Sequence, residues 1–170
     1  MDFCSIASGS SGNCTYTGTD HTALLVDAGV SARQIEKGLK SIDRTATDID
    51  GILVTHEHSD HIKGLGVLSR RYGIPIYGTK GTLNAIANCS SLGTIDAGLY
   101  REIHVDEDFQ VGDVTVHPFE IPHDAAQPSA YRISHEETSV AVVTDLGVFS
   151  DYIIENMKGL DAVLLEANHD

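Results

Sequence analysis

The chain is organised around one polar stretch, His56-Glu57-His58-Ser59-Asp60-His61. It follows directly after the apolar run Gly51-Ile52-Leu53-Val54-Thr55, which is typical of a buried strand. Imidazole and carboxylate groups are the usual protein ligands of zinc and similar ions. A lone histidine is more often an ordinary surface or core residue, but three histidines and an aspartate so close together indicate a metal site.

The same stretch can serve two ions. His56 and His58 are two residues apart at the end of an extended segment, so both side chains can point the same way. Asp60 and His61 follow after a turn and can face a second point, as in hydrolytic sites whose two ions lie about 3.5–4 Å apart. We therefore expect two half-sites, each completed by residues from elsewhere in the chain.

Candidates for that completion follow two later strand patterns. His123 comes just past residues 114–121, and Asp145 comes just past the apolar run 139–144. His117 is an alternative third histidine, but it lies opposite valines within its strand pattern, which favours a surface position. The remaining isolated histidines are expected at the surface: His21, His104 and His135.

Asp27 is a further candidate, because it follows Leu24-Leu25-Val26 and so ends another apolar run. Two roles remain open for it. It can cap a turn before Gly29, or it can hold the histidine segment by hydrogen bonds from behind the metal ligands.

The composition describes an acidic chain with enough residues for one domain. Of 170 residues, 41% are hydrophobic and 21% charged, which is ordinary for a globular protein with a core. The net charge of −14 disfavours a nucleic-acid partner unless metal ions offset it. Four basic residues at helical spacing would form one positive stripe, although such runs are usually only a solvated helix face: Arg33, Lys37, Lys40 and Arg44.

The sequence also predicts a cytoplasmic location. No apolar run approaches the length of a membrane span, and the first residues lack the basic and apolar segments of a signal peptide. The cysteines Cys4, Cys14 and Cys89 are odd in number and lack metal-type spacing. We expect them to be free or buried thiols in a reducing compartment.

Strands and helices are expected to mix along the chain. The predicted strands cover residues 3–7, 22–27, 51–55, 74–77, 102–105, 114–121, 130–134, 139–144 and 162–165. The predicted helices cover residues 62–72, 82–88 and 152–158, and one more begins at an N-cap, Ser31, with Gln34 in a capping box. A four-layer α/β sandwich fits this pattern, as do other α/β layouts.

Taken together, the motifs resemble one known family. The set Asp27, His56-x-His58-x-Asp60-His61, His123 and Asp145 resembles the metallo-β-lactamase superfamily over essentially the whole chain. Residues 5–13, 56–64, 122–126 and 166–170 look like the WalJ/YycJ-like branch, thought to comprise bacterial cytosolic nucleases. The resemblance implies an αβ/βα sandwich, the metallo-β-lactamase fold, in a single domain over residues 1–170.

The resemblance also implies roles for individual residues. His56, His58 and His123 would bind the first of two divalent ions, zinc or manganese. Asp60 and His61 would bind the second ion, with Asp145 bridging both, and Asp60 would also orient the attacking hydroxide. In this superfamily a further histidine normally completes the second site. The sequence stops at Asp170 before that position, so we expect a C-terminally truncated domain, and His169 is not assigned as the replacement.

Glu166 is similar in position to an acidic residue of transfer-RNA-processing relatives, where it is thought to help a late histidine protonate the leaving group. An ordinary role at the sheet edge is the alternative for this residue.

Three functional hypotheses follow. The first is a two-metal phosphodiesterase that cleaves nucleic acid through a metal-bound hydroxide, most simply an exonuclease starting from a 5′ end. The second is a hydrolase of small thioesters, lactones or lactams, which the acidic composition suits better. The third is a partner-binding protein without catalytic activity.

Overall fold

The computed structural model describes residues 1–122, 124–144 and 149–165. Within these ranges the strands are β1 (Asp2–Ala7), β2 (Cys14–Gly18), β3 (Ala23–Val26), β4 (Gly51–Leu53), β5 (Ile76–Gly78), β6 (Tyr100–Glu102), β7 (Phe109–Val111), β8 (Val114–Glu120), β9 (Ser129–His135), β10 (Thr138–Val143) and β11 (Ala162–Leu165). The α-helices are α1 (Ala32–Ser41), α2 (Ser59–Ile62), α3 (Leu65–Tyr72), α4 (Lys80–Ala87) and α5 (Asp151–Asn156).

The strands form two sheets. The first has the order β1-β2-β3-β4-β5-β6, antiparallel from β1 to β3 and parallel from β3 to β6. The second has the order β11-β10-β9-β8-β7, in which only the β10–β11 pair is parallel. Helices cover the outer face of each sheet, so the predicted four-layer αβ/βα sandwich is confirmed.

Alternating side chains of β3 explain how one strand serves two layers. Leu25 faces the helix side and packs in a core with residues of α1 and α3, such as Ile35 and Leu65. Its neighbours Leu24 and Val26 point the other way, into the core between the two sheets. Because successive side chains of a strand point to opposite faces, a strand buried on both sides reads as a continuous apolar run.

The capping box predicted at the start of α1 is confirmed. The Ser31 hydroxyl accepts from the backbone N–H of Gln34 at 3.2 Å, and the Gln34 side chain accepts from the Ser31 N–H at 3.3 Å. The basic side chains at positions 33, 37 and 40 are exposed on this helix. Arg44 lies beyond the helix, where its guanidinium is 3.8 Å from the Asp2 carboxylate.

One predicted helix was wrong as a continuous element. Residues 62–72 were expected to form one helix, but α2 ends at Ile62 and α3 begins at Leu65. The break arises because Gly64 donates its N–H to the Ala28 carbonyl at 2.8 Å, outside the helical pattern. A Cβ on Gly64 would lie 2.3 Å from the Val30 oxygen, so only glycine allows this close approach.

Two observed strands were not predicted, and a third is shifted. Both β2 and β7 were absent from the prediction, and the strand expected over residues 102–105 is β6, Tyr100–Glu102. All five residues of β2 are buried, so its Thr and Tyr side chains lie in the interior rather than alternating with solvent. None of the helices in the described part of the chain combines the length and apolar character that a membrane span needs.

Candidate metal centre

The histidine stretch begins at the carboxyl end of β4, in the middle of the first sheet. His56 and His61 are buried, whereas His58 and Asp60 are half-buried. The ring centroid of His56 lies 4.7 Å from that of His58 and 4.0 Å from that of His61. The Asp60 carboxylate reaches within 3.6 Å of His61 Nε2. The four predicted ligand residues of this stretch are therefore brought together.

Asp27 lies behind the histidines and accepts hydrogen bonds from Thr55 and from His61. Its Oδ1 accepts from the Thr55 backbone N–H at 2.7 Å. Its Oδ2 accepts from the Thr55 hydroxyl at 2.7 Å and from His61 Nδ1 at 2.6 Å. Asp27 and Thr55 are both buried, so this carboxylate is stabilised by three hydrogen bonds away from solvent.

These hydrogen bonds fix which imidazole nitrogens carry a proton. The Thr55 hydroxyl proton is donated to Asp27, so its oxygen accepts from His56 Nδ1–H at 2.9 Å. His61 likewise carries its proton on Nδ1, which leaves the lone pair on Nε2 in both rings. His58 Nε2–H donates to the Asp124 carbonyl at 2.8 Å, so its lone pair is on Nδ1.

Two turns of the chain hold Asp60 from the other side. The Asp60 carbonyl accepts from the Asn13 backbone N–H at 2.8 Å, and the Asn13 carbonyl accepts from the Gly29 N–H at 2.8 Å. The Asn13 amide Nδ2 also lies 3.4 Å from His61 Nε2. A Cβ on Gly29 would lie 1.7 Å from the Asp60 oxygen, so the absence of a side chain permits this contact.

The second sheet closes against the same region. The Tyr131 hydroxyl of β9 donates to the Val54 carbonyl at 2.7 Å, and the Ser129 N–H donates to the Thr55 carbonyl at 2.9 Å. Burial raises the pKa of Tyr131, so its hydroxyl keeps its proton and its role as a donor. Burial also raises the pKa of the Cys14 thiol at the start of β2, and the charge of Asp27 raises it further.

Three predicted site residues lie outside the described ranges, namely His123, Asp145 and Glu166, and so does the unassigned His169. Residues next to His123 and Asp145 are described. Asp124 accepts the hydrogen bond from His58, and the Thr144 hydroxyl lies 3.5 Å from that of Thr55. Within residues 1–122, 124–144 and 149–165, no three His, Cys, Asp or Glu side chains are arranged to hold a metal ion by themselves.

The other histidines lie away from this cluster. His117 is held between the Asp108 carboxylate at 2.5 Å and the Asn156 side chain at 2.9 Å, on the α5 side of the second sheet. His21 and His104 are exposed, and His135 is half-buried beside Asp113.

Two residues of the site, Thr55 and Asn13, were not predicted from the sequence. Thr55 was considered only as the last residue of a strand, and Asn13 only as the end of the 5–13 stretch that resembles the WalJ/YycJ-like branch. The position of Thr55 directly before the histidines is a usable signal, because a hydroxyl there can reach the first imidazole. The sequence does not indicate the contacts of Asn13, whose partners are 47 and 48 residues away.

The donor chemistry of the described cluster fits a divalent ion. Neutral imidazoles with Nδ1–H held by carboxylate or hydroxyl oxygens are the usual form of histidine ligands. The family comparison agrees, because residues 22–170 match the beta-lactamase superfamily domain. The chain therefore belongs to the metallo-β-lactamase superfamily, as its motifs predict.

Solved structures share this fold. A B3 metallo-β-lactamase with an active-site glutamic acid has a TM-score of 0.73 and 14% identity, over 92% of this chain and 73% of that one. Zn²⁺-bound PqqB from Methylobacterium extorquens has a TM-score of 0.73 and 20% identity, over 91% of this chain and 59% of that one. At such low identities the likeness concerns the fold alone.

Curated relatives are more similar in sequence. The chain is 42% identical to exodeoxyribonuclease YycJ of Bacillus anthracis over 170 residues, covering 100% of this chain and 64% of the relative. It is 41% identical to exodeoxyribonuclease WalJ of Streptococcus pneumoniae over 165 residues, covering 97% of this chain and 61% of the relative. The predicted similarity to this branch is confirmed, and the chain spans less than two thirds of each relative's length.

Proposed function

We propose that the protein is a metal-dependent phosphodiesterase that removes nucleotides from DNA, starting at a 5′ end. The observation that carries the metal-dependent part is the buried hydrogen-bond network in which Asp27 binds His61 directly and His56 through Thr55. The nucleic-acid part is supported by the similarity to proteins named exodeoxyribonucleases. A divalent ion, when bound, polarises a phosphoryl oxygen and makes water a nucleophile near neutral pH.

The residues of the chain would divide the work as follows. His56 and His58 would bind one ion with His123, and Asp60 and His61 would bind the other, with Asp145 between the two. Asp27 would keep His61 in the tautomer that binds metal. Asp60 would also orient the attacking water by a hydrogen bond, and Glu166 would assist proton transfer to the leaving group.

The identity of the metal is part of the proposal. Imidazole-rich sites suit zinc, while carboxylates at the second site also accept manganese. We further propose that the protein acts in the cytoplasm. The described cysteines Cys4, Cys14 and Cys89 are all free thiols, as expected for a reducing compartment.

The test is cleavage of end-labelled oligonucleotides by metal-free protein supplied with Mn²⁺ or Zn²⁺. Single-stranded DNA, duplex DNA and RNA would each carry the label at the 5′ or the 3′ end. We expect a 5′ label to be released as a mononucleotide, while a 3′-labelled strand shortens progressively. Asp60→Asn should lower the rate by at least about 100-fold, because it removes a ligand and the group that orients water.

The matched control is Asp50→Asn, which makes the same chemical change beside Ala23, the first residue of β3. The Asp50 carboxylate accepts from the Ala23 N–H at 2.9 Å. The Asp50→Asn variant should cleave the oligonucleotides at the rate of the wild type. Absence of cleavage in all three nucleic acids, or cleavage that Asp60→Asn does not affect, contradicts the proposal. Hydrolysis of thioesters, lactones or lactams that oligonucleotides fail to inhibit would favour the small-molecule alternative.

A further inference from the structure

A second feature lies beside the histidine stretch. A cavity of about 380 Å³ separates α2 from the segment that follows α4. Its wall on the α2 side includes Glu57, Ser59, Ile62 and Lys63, and the opposite wall includes Ser91 and Leu92. We call this space the Lys63 cavity. Glu57 and Ser59 lie between the predicted metal ligands His56, His58 and Asp60 in the chain, so the Lys63 cavity adjoins the histidine stretch.

The far wall of the Lys63 cavity is fixed to α3. A Cβ on Gly66 would lie 2.2 Å from the Leu92 carbonyl oxygen, so the helix and the wall are in close contact. The Arg70 guanidinium donates to the same Leu92 oxygen at 2.6 Å and to the Thr94 oxygen at 3.0 Å. The cavity is therefore formed by segments that are held together rather than by a loose loop.

The floor and rim of the Lys63 cavity differ in chemistry. Ile62 and Leu92 are buried and give the space an apolar floor. The hydroxyls of Ser59 and Ser91 are at exposed positions of the rim, as is the Lys63 ammonium. Among the residues that the structure describes, none forms an ion pair with Lys63.

The acidic member of the wall is already engaged. Both Glu57 carboxylate oxygens accept from the Ala126 backbone N–H, each at 3.1 Å. This carboxylate is thus directed toward the segment after residue 123, while the ammonium of Lys63 remains at the rim. In a chain of net charge −14, a cation and two hydroxyl donors over an apolar floor indicate an anionic ligand with an apolar part.

We propose that the Lys63 cavity binds one nucleotide unit of a nucleic-acid strand, next to the phosphate at the metal centre. This inference rests on the proposed nuclease function. Lys63 and the serine hydroxyls bind the phosphate of that unit, and Ile62 with Leu92 contact its sugar or base. The volume is in the lower part of the range of about 300–1,000 Å³ that small ligands occupy, which suits a single unit.

Cys89 also lines the Lys63 cavity and provides a direct readout. Metal-free protein would be treated with iodoacetamide, and mass spectrometry would measure the rate at which each cysteine is alkylated. We expect dTMP at ten times its dissociation constant to slow the alkylation of Cys89 about tenfold. At that concentration only about a tenth of the protein has an empty cavity, and only that fraction exposes Cys89 to the reagent. Cys4, which lies in another cavity on β1, should be unaffected.

Inorganic phosphate and thymidine are the comparison ligands. Equal protection of Cys89 by phosphate alone would overturn the assignment of a nucleotide, as would no protection by dTMP or equal protection of Cys4. Lys63→Glu should weaken dTMP protection about tenfold or more, the effect of losing one charge-assisted hydrogen bond. Lys37→Glu on the exposed face of α1 makes the same charge change and should have no effect.

The two proposals can fail separately. Protection of Cys89 by dTMP without cleavage of any oligonucleotide would leave the cavity assignment standing and remove the nuclease function. Cleavage of DNA without protection of Cys89 by dTMP would support the nuclease function and remove the cavity assignment. If the wild type cleaves DNA, Lys63→Glu should raise the KM for the oligonucleotide about tenfold. The KM for bis(4-nitrophenyl) phosphate should not change, because this substrate is too small to reach both the metal centre and the Lys63 cavity.

Discussion

At the scale of single residues, Asp27 explains most of the organisation around the histidines. Its backbone has a φ of +64°, in the left-handed region that Asp and Asn adopt more readily than most residues. This turn directs the carboxylate toward Thr55 and His61 at the same time. The turn and the support of the histidines, which the sequence presented as alternatives, are thus compatible. Its role behind bound metal stays a prediction.

Asp27→Asn should weaken zinc binding by about 10–100-fold, the usual effect of losing a group that orients a histidine ligand. Asparagine keeps the left-handed backbone but presents an N–H₂ group where Thr55 and His61 need acceptors. Zinc affinity would be measured by competition with a chromophoric chelator. Asp50→Asn is the control and should retain the affinity of the wild type, and an unchanged affinity in Asp27→Asn would contradict this role.

At the scale of elements, the close packing of two turns places α2. The segment between β3 and α1 donates the Ala28 N–H to the His61 carbonyl and receives the Gly64 N–H in return, both at 2.8 Å. These long-range bonds replace helical ones at Gly64 and separate α2 from α3. The short helix that carries Asp60 and His61 is therefore positioned by the loop before α1.

Gly29→Ala should destabilise this contact, because the new Cβ would lie 1.7 Å from the Asp60 oxygen and 2.4 Å from its carbonyl carbon. Backbone atoms must shift to accommodate it, at a cost of about 1–3 kcal/mol in the free energy of unfolding. Urea unfolding of the metal-free protein measures this cost, and zinc affinity should fall with it.

Gly98→Ala is the matched control, since its Cβ would meet only the Asp96 side chain, with the nearest atom 3.3 Å away. Its free energy of unfolding should stay within about 0.5 kcal/mol of the wild type. If Gly29→Ala were as stable as this control and bound zinc normally, the proposed packing of the loop against α2 would be wrong.

At the scale of the whole molecule, both sheets contribute to one edge where the histidines lie. Tyr131 and Ser129 of β9 donate to carbonyls at the end of the first sheet, so the two halves of the chain meet there. That residues 1–170 form a single domain stays a prediction, supported by the core shared between the sheets. Divalent ions at this edge would also reduce the repulsion within a chain of net charge −14.

Metal binding should therefore stabilise the whole fold. Zinc at 100 times its dissociation constant should raise the free energy of unfolding by about 2.7 kcal/mol per site relative to chelated protein. Urea unfolding with zinc or with chelator measures the difference. His58→Ala should remove much of this gain, whereas His104→Ala, at an exposed position, should retain it. A gain that is equal in all three proteins would indicate binding elsewhere.

Local patterns were sufficient for much of the fold. The apolar run before His56 predicted β4, and Ser31 with Gln34 predicted the start of α1, because both signals depend on neighbouring residues. The two strands that were not predicted, β2 and β7, were overlooked for different reasons. Polar threonines in β2 hide its burial, and β7 is only three residues long. Three residues are too few for β7 to show a periodicity that can be recognised without its partner strands.

For the site, the sequence by itself determined the chemical type of the cluster: imidazoles and a carboxylate at the end of a buried strand. Only the tertiary structure decided how those groups are held. The Nδ1 protons of His56 and His61 are fixed by Thr55 and Asp27, and Asn13 contacts His61 across 48 residues. Such hydrogen bonds depend on how distant turns pack, and spacing along the chain carries no record of that packing.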